Sequence, residues 1–238
     1  MKLAAIQFRP PKGQPALARS GLAALIDQAG SQGADLIVCP EMAITGYIWH
    51  SPEELKPLAE PARGPTLAML SERAKAHRSW IVCGFAEQSG GALYNSALMV
   101  DPWGDLVRCY RKVLLYDADL PWARRGRQHM SIGSELGRIA PAICMDLNDD
   151  NFIRYLNRAR VDVLAFCTNW IEEGSAVHPY WIWRLAGWQG WLVAANTWGQ
   201  DEDTLFSGCS AIIAPNKRVV ACAANFGDEV LLVDSTAL

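Results

Sequence analysis

Short apolar runs with strand character recur along the chain. They are KLAAIQF from residue 2, DLIVCP from 35, WIVCGFAE from 80, ALYNSALMV from 92, GDLVRCYRKV from 104, GRIAPAICM from 137, VDVLAFCT from 161 and WLVAANT from 191. Between many of them lie segments with helical spacing of apolar residues, from Pro15 to Gly30, Pro65 to His77, Asp150 to Ala159 and a Trp-rich stretch from His178 to Gln189. This alternation predicts an α/β fold with helices outside a sheet. Asp101, Pro102, Trp103 and Gly104 separate two β-rich runs with turn-forming residues, so those runs are expected to form an antiparallel hairpin. SGCSAIIA and KRVVACAA repeat that pattern around Pro215 and Asn216. A mixed sheet therefore fits better than a parallel one. No repeat, low-complexity tract or linker divides the chain, and residues 1–238 are read as one domain.

Composition narrows what such a fold can bind. Half of the 238 residues are apolar, enough for a sizeable core. A net charge of -3, with 22 Lys and Arg in no long run, gives nothing to attract nucleic acid or an anionic membrane. The expected partner is a small molecule. Gln7, Arg9 and Pro10 interrupt the first apolar run before a signal-peptide core could form, and no stretch reaches the roughly 18 apolar residues of a membrane helix. A cytoplasmic protein is expected. The seven cysteines stand at 39, 83, 109, 144, 167, 209 and 222, with no CxxC pair and no His at metal-ligand spacing, so neither a disulfide framework nor a metal site is expected. Reduced thiols can then serve chemistry.

Cys144 ends the apolar run GRIAPAIC and precedes the polar run MDLNDDN, where Asp146 or Asn148 can start a helix. By position alone it reads as a buried core thiol. At a strand-to-helix elbow, however, nearby amides would lower its pKa and point donors at an oxyanion. Glu41 follows DLIVC and Pro40 at another strand end; a lone acid there is usually just solvated, but a partly desolvated one can accept a thiol proton. Lys112 closes the predicted hairpin. Such lysines commonly guard sheet edges, yet an ammonium beside a thiolate stabilises it and then a tetrahedral oxyanion.

Together these contexts resemble the nitrilase superfamily of carbon–nitrogen hydrolases, whose strand-end Glu, Lys and Cys occur in this chain order. The likeness spans AAIQF at 4–8, PEMAITGY at 40–47, YNSALMVDPWGDLVRCYRK at 94–112 and ICMD at 143–146. Later, VDVLAFCTNW at 161–170, VAANTWG at 193–199 and SGCSAIIAPNKRVV at 207–220 are similar to the pocket wall, the next strand and the closing hairpin of that family. The resemblance implies a four-layer αββα sandwich with two mixed sheets and pairing into homodimers or larger assemblies. It also implies catalytic roles for Glu41, Lys112 and Cys144, an oxyanion donor from the Met145 amide, and a pocket wall at Asn169 and Trp170. No cofactor is implied.

The chain departs from the family pattern where many members carry a His two residues after the catalytic Lys and a second Glu eight after it. Leu114 and Leu120 stand there; Asp117 and Asp119 lie close by, and a one-residue shortening of this loop would put Asp119 near the expected place as a substrate-binding acid, the alternative being that nothing replaces the second Glu. Members often read Arg-Ala-x-Glu-Asn before the strand matching WLVAAN; here Arg184-Leu-Ala-Gly187-Trp188 exchanges a polar contact for an aromatic one. Six of ten tryptophans lie between 170 and 198, a cluster read as core or subunit interface except for Trp170. The expected reaction is hydrolysis of a linear amide through a Cys144 thioester, since true nitrilases usually follow the Cys with Trp-Glu rather than Met145-Asp146. Deamidation of N-terminal Asn or Gln and nitrile hydrolysis are the alternative reactions. A Cys144–His178 thiol hydrolase and a non-enzymatic interaction protein on the same scaffold are the rivals.

Overall fold

The computed structural model describes residues 1–237. The first half of the chain builds β1 (Lys2–Gln7), α1 (Pro15–Ser31), β2 (Leu36–Val38), the short α2 (Pro52–Leu55), α3 (Pro65–His77), β3 (Trp80–Ser89), β4 (Ala92–Val100) and β5 (Leu106–Arg111). The second half adds β6 (Ile132–Ser134), β7 (Gly137–Ile143), a 3-10 turn over Cys144–Asn148, α4 (Asp150–Arg158), β8 (Val163–Cys167), α5 (Val177–Arg184) and β9 (Trp191–Ala195). Then come β10 (Trp198–Asp201), β11 (Thr204–Ser207), β12 (Ala211–Ile213), β13 (Val219–Cys222) and β14 (Glu229–Asp234).

Two six-stranded sheets result, ordered β14-β1-β2-β3-β4-β5 and β13-β12-β9-β8-β7-β6, with β10 and β11 as a separate ribbon. Both sheets are mixed. In the first, β1, β2 and β3 are parallel while β4 and β5 run as antiparallel hairpins; in the second, β7, β8 and β9 are parallel and the outer pairs antiparallel. Gly90 and Gly91, at φ 57° and 77°, supply the left-handed pair that a tight hairpin between β3 and β4 requires.

Strand periodicity explains the layers. Leu3 and Ala5 of β1 face the inter-sheet core with Val38, Met99, Ile143, Ala165 and Val193, whereas Ala4 and Ile6 face the helices. On that outer face α1 brings Leu22 and Ile26 and α3 brings Leu70 and Ala74. Phe152 and Leu156 of α4 and Trp181 of α5 cover the other sheet, packing on Ala142, Leu164 and Phe166. The order is helix, sheet, sheet, helix, the expected αββα sandwich. Both α1 and α3 begin on a proline, whose missing N–H costs nothing at that position.

Several expectations change at this level. The helix after Cys144 does not begin at Asp146 or Asn148: a 3-10 turn intervenes, and α4 is capped by Asp149, whose side chain accepts from the Asn151 amide at 2.8 Å. The Trp-rich helix stops at Arg184 instead of Gln189, leaving Trp188 to pack beyond its end with its indole N–H on the Val161 carbonyl at 2.8 Å. The sequence pattern also missed β14, the β10–β11 ribbon, β6 and α2, all short or only weakly alternating.

Candidate active site

Glu41, Lys112, Cys144 and Asn169 all stand just past strand ends: Lys112 directly follows β5, Cys144 directly follows β7, and Glu41 and Asn169 come shortly after β2 and β8. In each sheet these strands run the same way, so their carboxyl ends open on one edge, where α/β sheets place ligands. The backbone past β2 is pinned to β3 by the Gly84 amide on the Pro40 carbonyl and the Ala43 amide on the Gly84 carbonyl, both at 3.0 Å. A side chain at Gly84 would collide there, since a Cβ would lie 2.5 Å from the Glu41 Cα. Met42 and Cys144 take left-handed φ of 49° and 41°, strained for residues with side chains and situated where the two chains leave their strands.

Three charged side chains meet in full burial. The Lys112 ammonium lies 2.8 Å from Glu41 Oε1 and 2.7 Å from Asp119 Oδ2, with every member essentially inaccessible to solvent. Asn95 Nδ2 bridges the two acids, donating to Glu41 Oε1 at 2.7 Å and Asp119 Oδ1 at 3.0 Å. The amide of Asn169 donates to Glu41 Oε2 at 2.9 Å, and that of Tyr116 to Asp119 Oδ2 at 2.9 Å. Asp119 is thus a second carboxylate on Lys112, from the loop that follows it. Leu120, by contrast, points into solvent.

Burial and charge set the proton affinities. Burial raises the Glu41 carboxyl above the usual carboxylate range, with Lys112 opposing and Asp119 reinforcing the shift. Lys112 is held fully protonated: Asp119 and Glu41 outweigh the cost of its burial. Burial, reinforced by the Glu41 charge and opposed by Lys112, pushes the Cys144 thiol up to about 12. This corrects the expectation of a lowered pKa. The resting sulfur is a thiol because its surroundings are dry and face a carboxylate, and only a short 3-10 turn, not an α-helix, starts at it.

Cys144 opens into a cavity of about 230 Å³ whose wall includes Met145, Asn169 and Trp170. Of the residues read as substrate-binding, these three line it, while Asp119 is fully buried behind it on Lys112. Trp170 is held there by edge contacts with Phe166 and Trp181. The turn carrying Cys144 is tied to the loop carrying Lys112 by Asp146, a residue to which the sequence assigned no such tie. Its buried carboxylate accepts from the Ile143 amide at 3.0 Å, the Val113 and Leu114 amides at 2.9 Å, and the Tyr110 hydroxyl at 2.7 Å. Asn95 was missed as well; it lay inside the run YNSALMV, but nothing in that run distinguished its side chain. His178 does not reach Cys144. Its Nε2 is bonded to the Cys209 carbonyl at 2.8 Å, which removes the Cys–His pairing.

Comparison with known proteins is consistent with this arrangement. The carbon-nitrogen hydrolase family profile matches residues 2–237. The chain is 30% identical over 233 residues to a nitrilase of Pyrococcus abyssi, covering 97% of this chain and 87% of that protein. It is 28% identical over 259 residues to a protein N-terminal amidase of Schizosaccharomyces pombe, covering 90% and 91%. Among solved structures, a mutant of the amidase from Nesterenkonia sp. AN1, with acrylamide added at its active-site cysteine, superposes with a TM-score of 0.88 at 18% identity over 100% of this chain and 94% of that one. Among the described residues no helix is long and apolar enough to cross a membrane.

Proposed function

Because this chain belongs to the carbon-nitrogen hydrolase family, we propose that it hydrolyses a small linear amide through a thioester on Cys144, with Glu41 as base and Lys112 as oxyanion partner. The observation that carries this reading is the solvent-free cluster of Glu41, Lys112 and Asp119 beside a thiol that opens into a cavity. Glu41 takes the thiol proton as sulfur bonds to the amide carbon. The carbonyl electrons move to oxygen, where Lys112 and the Met145 amide stabilise them. Glu41 then gives its proton to the nitrogen, the C–N bond breaks and ammonia or an amine leaves. Water attacks the thioester with Glu41 again as base, releasing the acid and restoring the thiol.

The raised Glu41 carboxyl and the thiol near 12 support this order of events. A thiol that is neutral at rest needs a base at the moment of attack, and a carboxylate raised by burial is the stronger base. Asp119 keeps Lys112 charged and fixed while Glu41 cycles between its states. An amide is preferred to a nitrile on the Met145-Asp146 pair that follows the cysteine. The chain would act as one catalytic unit in the cytoplasm and self-associate; Trp183, well exposed on the outer side of α5 beside Tyr180, supports a contact between copies. The test is ammonia release from simple amides. Cys144→Ala is expected to lose all turnover while keeping its circular dichroism spectrum, and turnover near the wild-type rate would remove the thioester route.

A further inference from the structure

The cavity in front of Cys144 is uneven in charge. Apart from Cys144, the ionisable side chains in its wall are Tyr116 and Glu173, and no Lys, Arg or His lines it. Burial, then the charges of Glu173 and Asp117, push the Tyr116 phenol up, so two carboxylates act on this wall. The nearby cation, Lys112, is already held between Glu41 and Asp119. Glu173 itself, at the exposed rim, makes no ion pair among the described residues. A second and independent feature is Asn169, only 3% exposed, which lines the same cavity and whose Oδ1 has no hydrogen-bond partner among the described residues. Trp170 and Tyr116 add aromatic faces. Unpaired acceptors, a carboxylate and π-faces together suit an ammonium and repel a carboxylate.

We propose that the substrate is an amino amide: a carboxamide whose acyl part carries an ammonium, held at Glu173 and Asn169 while the amide carbon meets Cys144. This rests on the reading of Cys144 as nucleophile. The volume of about 230 Å³ admits a short acyl chain together with its ammonium. A free amino-acid amide and the N-terminal Asn or Gln of a peptide share this chemistry, both carrying an ammonium on the acyl side.

Three amides with the same two-methylene spacer test it: β-alaninamide, butanamide and succinamate, which place a cation, a methyl group and an anion at the same end. The expected order of kcat/KM is cation above neutral above anion, with the first step about fivefold because Glu173 stands at a solvated rim. Raising the salt concentration is expected to narrow that step, and Glu173→Gln to abolish it. Glu173→Lys is expected to favour succinamate over β-alaninamide. Peptides with free and acetylated N-terminal Gln distinguish the source: a charge preference with the peptide alone marks a polypeptide terminus, with β-alaninamide alone a free metabolite, and either supports the proposal. Butanamide or succinamate turned over as well as β-alaninamide together with the acetylated peptide turned over as well as the free one, or a preference unchanged in Glu173→Gln, overturns it. Failure of the underlying reading looks different, as no ammonia from any amide or full activity in Cys144→Ala.

Discussion

At the scale of single residues, the charge on Glu41 has opposite effects on two readouts. It raises the affinity of the Cys144 thiol for its proton, and it serves as the base that removes that proton during attack. Replacing it with glutamine removes a negative charge from beside the sulfur, so the thiolate forms at lower pH. Glu41→Gln is therefore expected to shift the pH midpoint of carboxymethylation at Cys144 downward from about 12, measured by peptide mass spectrometry, while ammonia release collapses. A midpoint that stays put or rises would show that Glu41 does not act electrostatically on the sulfur. Lys112 has no such freedom: two carboxylates within hydrogen-bond distance keep it charged at every pH the fold survives. Positions 41, 112 and 144 were singled out because Glu, Lys and Cys follow strand-like runs in an order that resembles the carbon–nitrogen hydrolases, whereas each run alone favoured a solvated or core side chain. The proton affinities were not legible in the sequence, because they come from burial and from neighbours distant in the chain.

At the scale of elements, the site depends on how strands end. Gly84 lies mid-strand in β3, yet its missing side chain is what lets the Glu41 turn sit against it. Gly84→Ala is expected to cost about 2 kcal/mol of stability through overpacking and to lower kcat more than it raises KM, because Glu41 is displaced. Urea unfolding together with steady-state kinetics would check this. Asp146 performs a comparable task at the other strand end, joining the Cys144 turn to the backbone after Lys112 by two hydrogen bonds and to the Tyr110 hydroxyl of β5 by a third, while a fourth closes its own turn on Ile143. Asp146→Ala leaves buried amides without an acceptor, an expected loss of about 2–4 kcal/mol of unfolding free energy seen as a lower urea midpoint, with Asp146→Asn losing less. The strands and helices around both residues followed from apolar periodicity, and α3 has the expected bounds of Pro65 and His77. Turn geometry did not follow. A left-handed cysteine and a 3-10 turn carry no periodic signal, so the run MDLNDDN read as a helix start.

At the scale of the whole molecule, the first sheet is completed only by the last strand. β14 pairs antiparallel with β1, from Lys2 opposite Asp234 to Gln7 opposite Glu229, and buries Leu231 between the sheets. Deleting the chain from Glu229 onward would leave the β1 edge unpaired and the core open on one side. That variant is expected to aggregate or lose cooperative unfolding, which size-exclusion chromatography and circular dichroism would detect; a monomeric, cooperatively folding truncation would show that β14 is dispensable.

The sequence by itself determined the α/β alternation, the hairpin before Lys112 and the order Glu41, Lys112, Cys144, since these are local patterns of apolar and polar residues or their order along the chain, whereas Asp119 was named only through a family resemblance and its place beside Lys112 came from the fold. Only the tertiary structure decided that Asn95 bridges two acids, that Asp146 joins two loops, that His178 turns away from the thiol and that Cys144 rests protonated. Each depends on residues tens of positions apart being brought into a region without water, where a few ångströms set which hydrogen bonds form and which charge prevails.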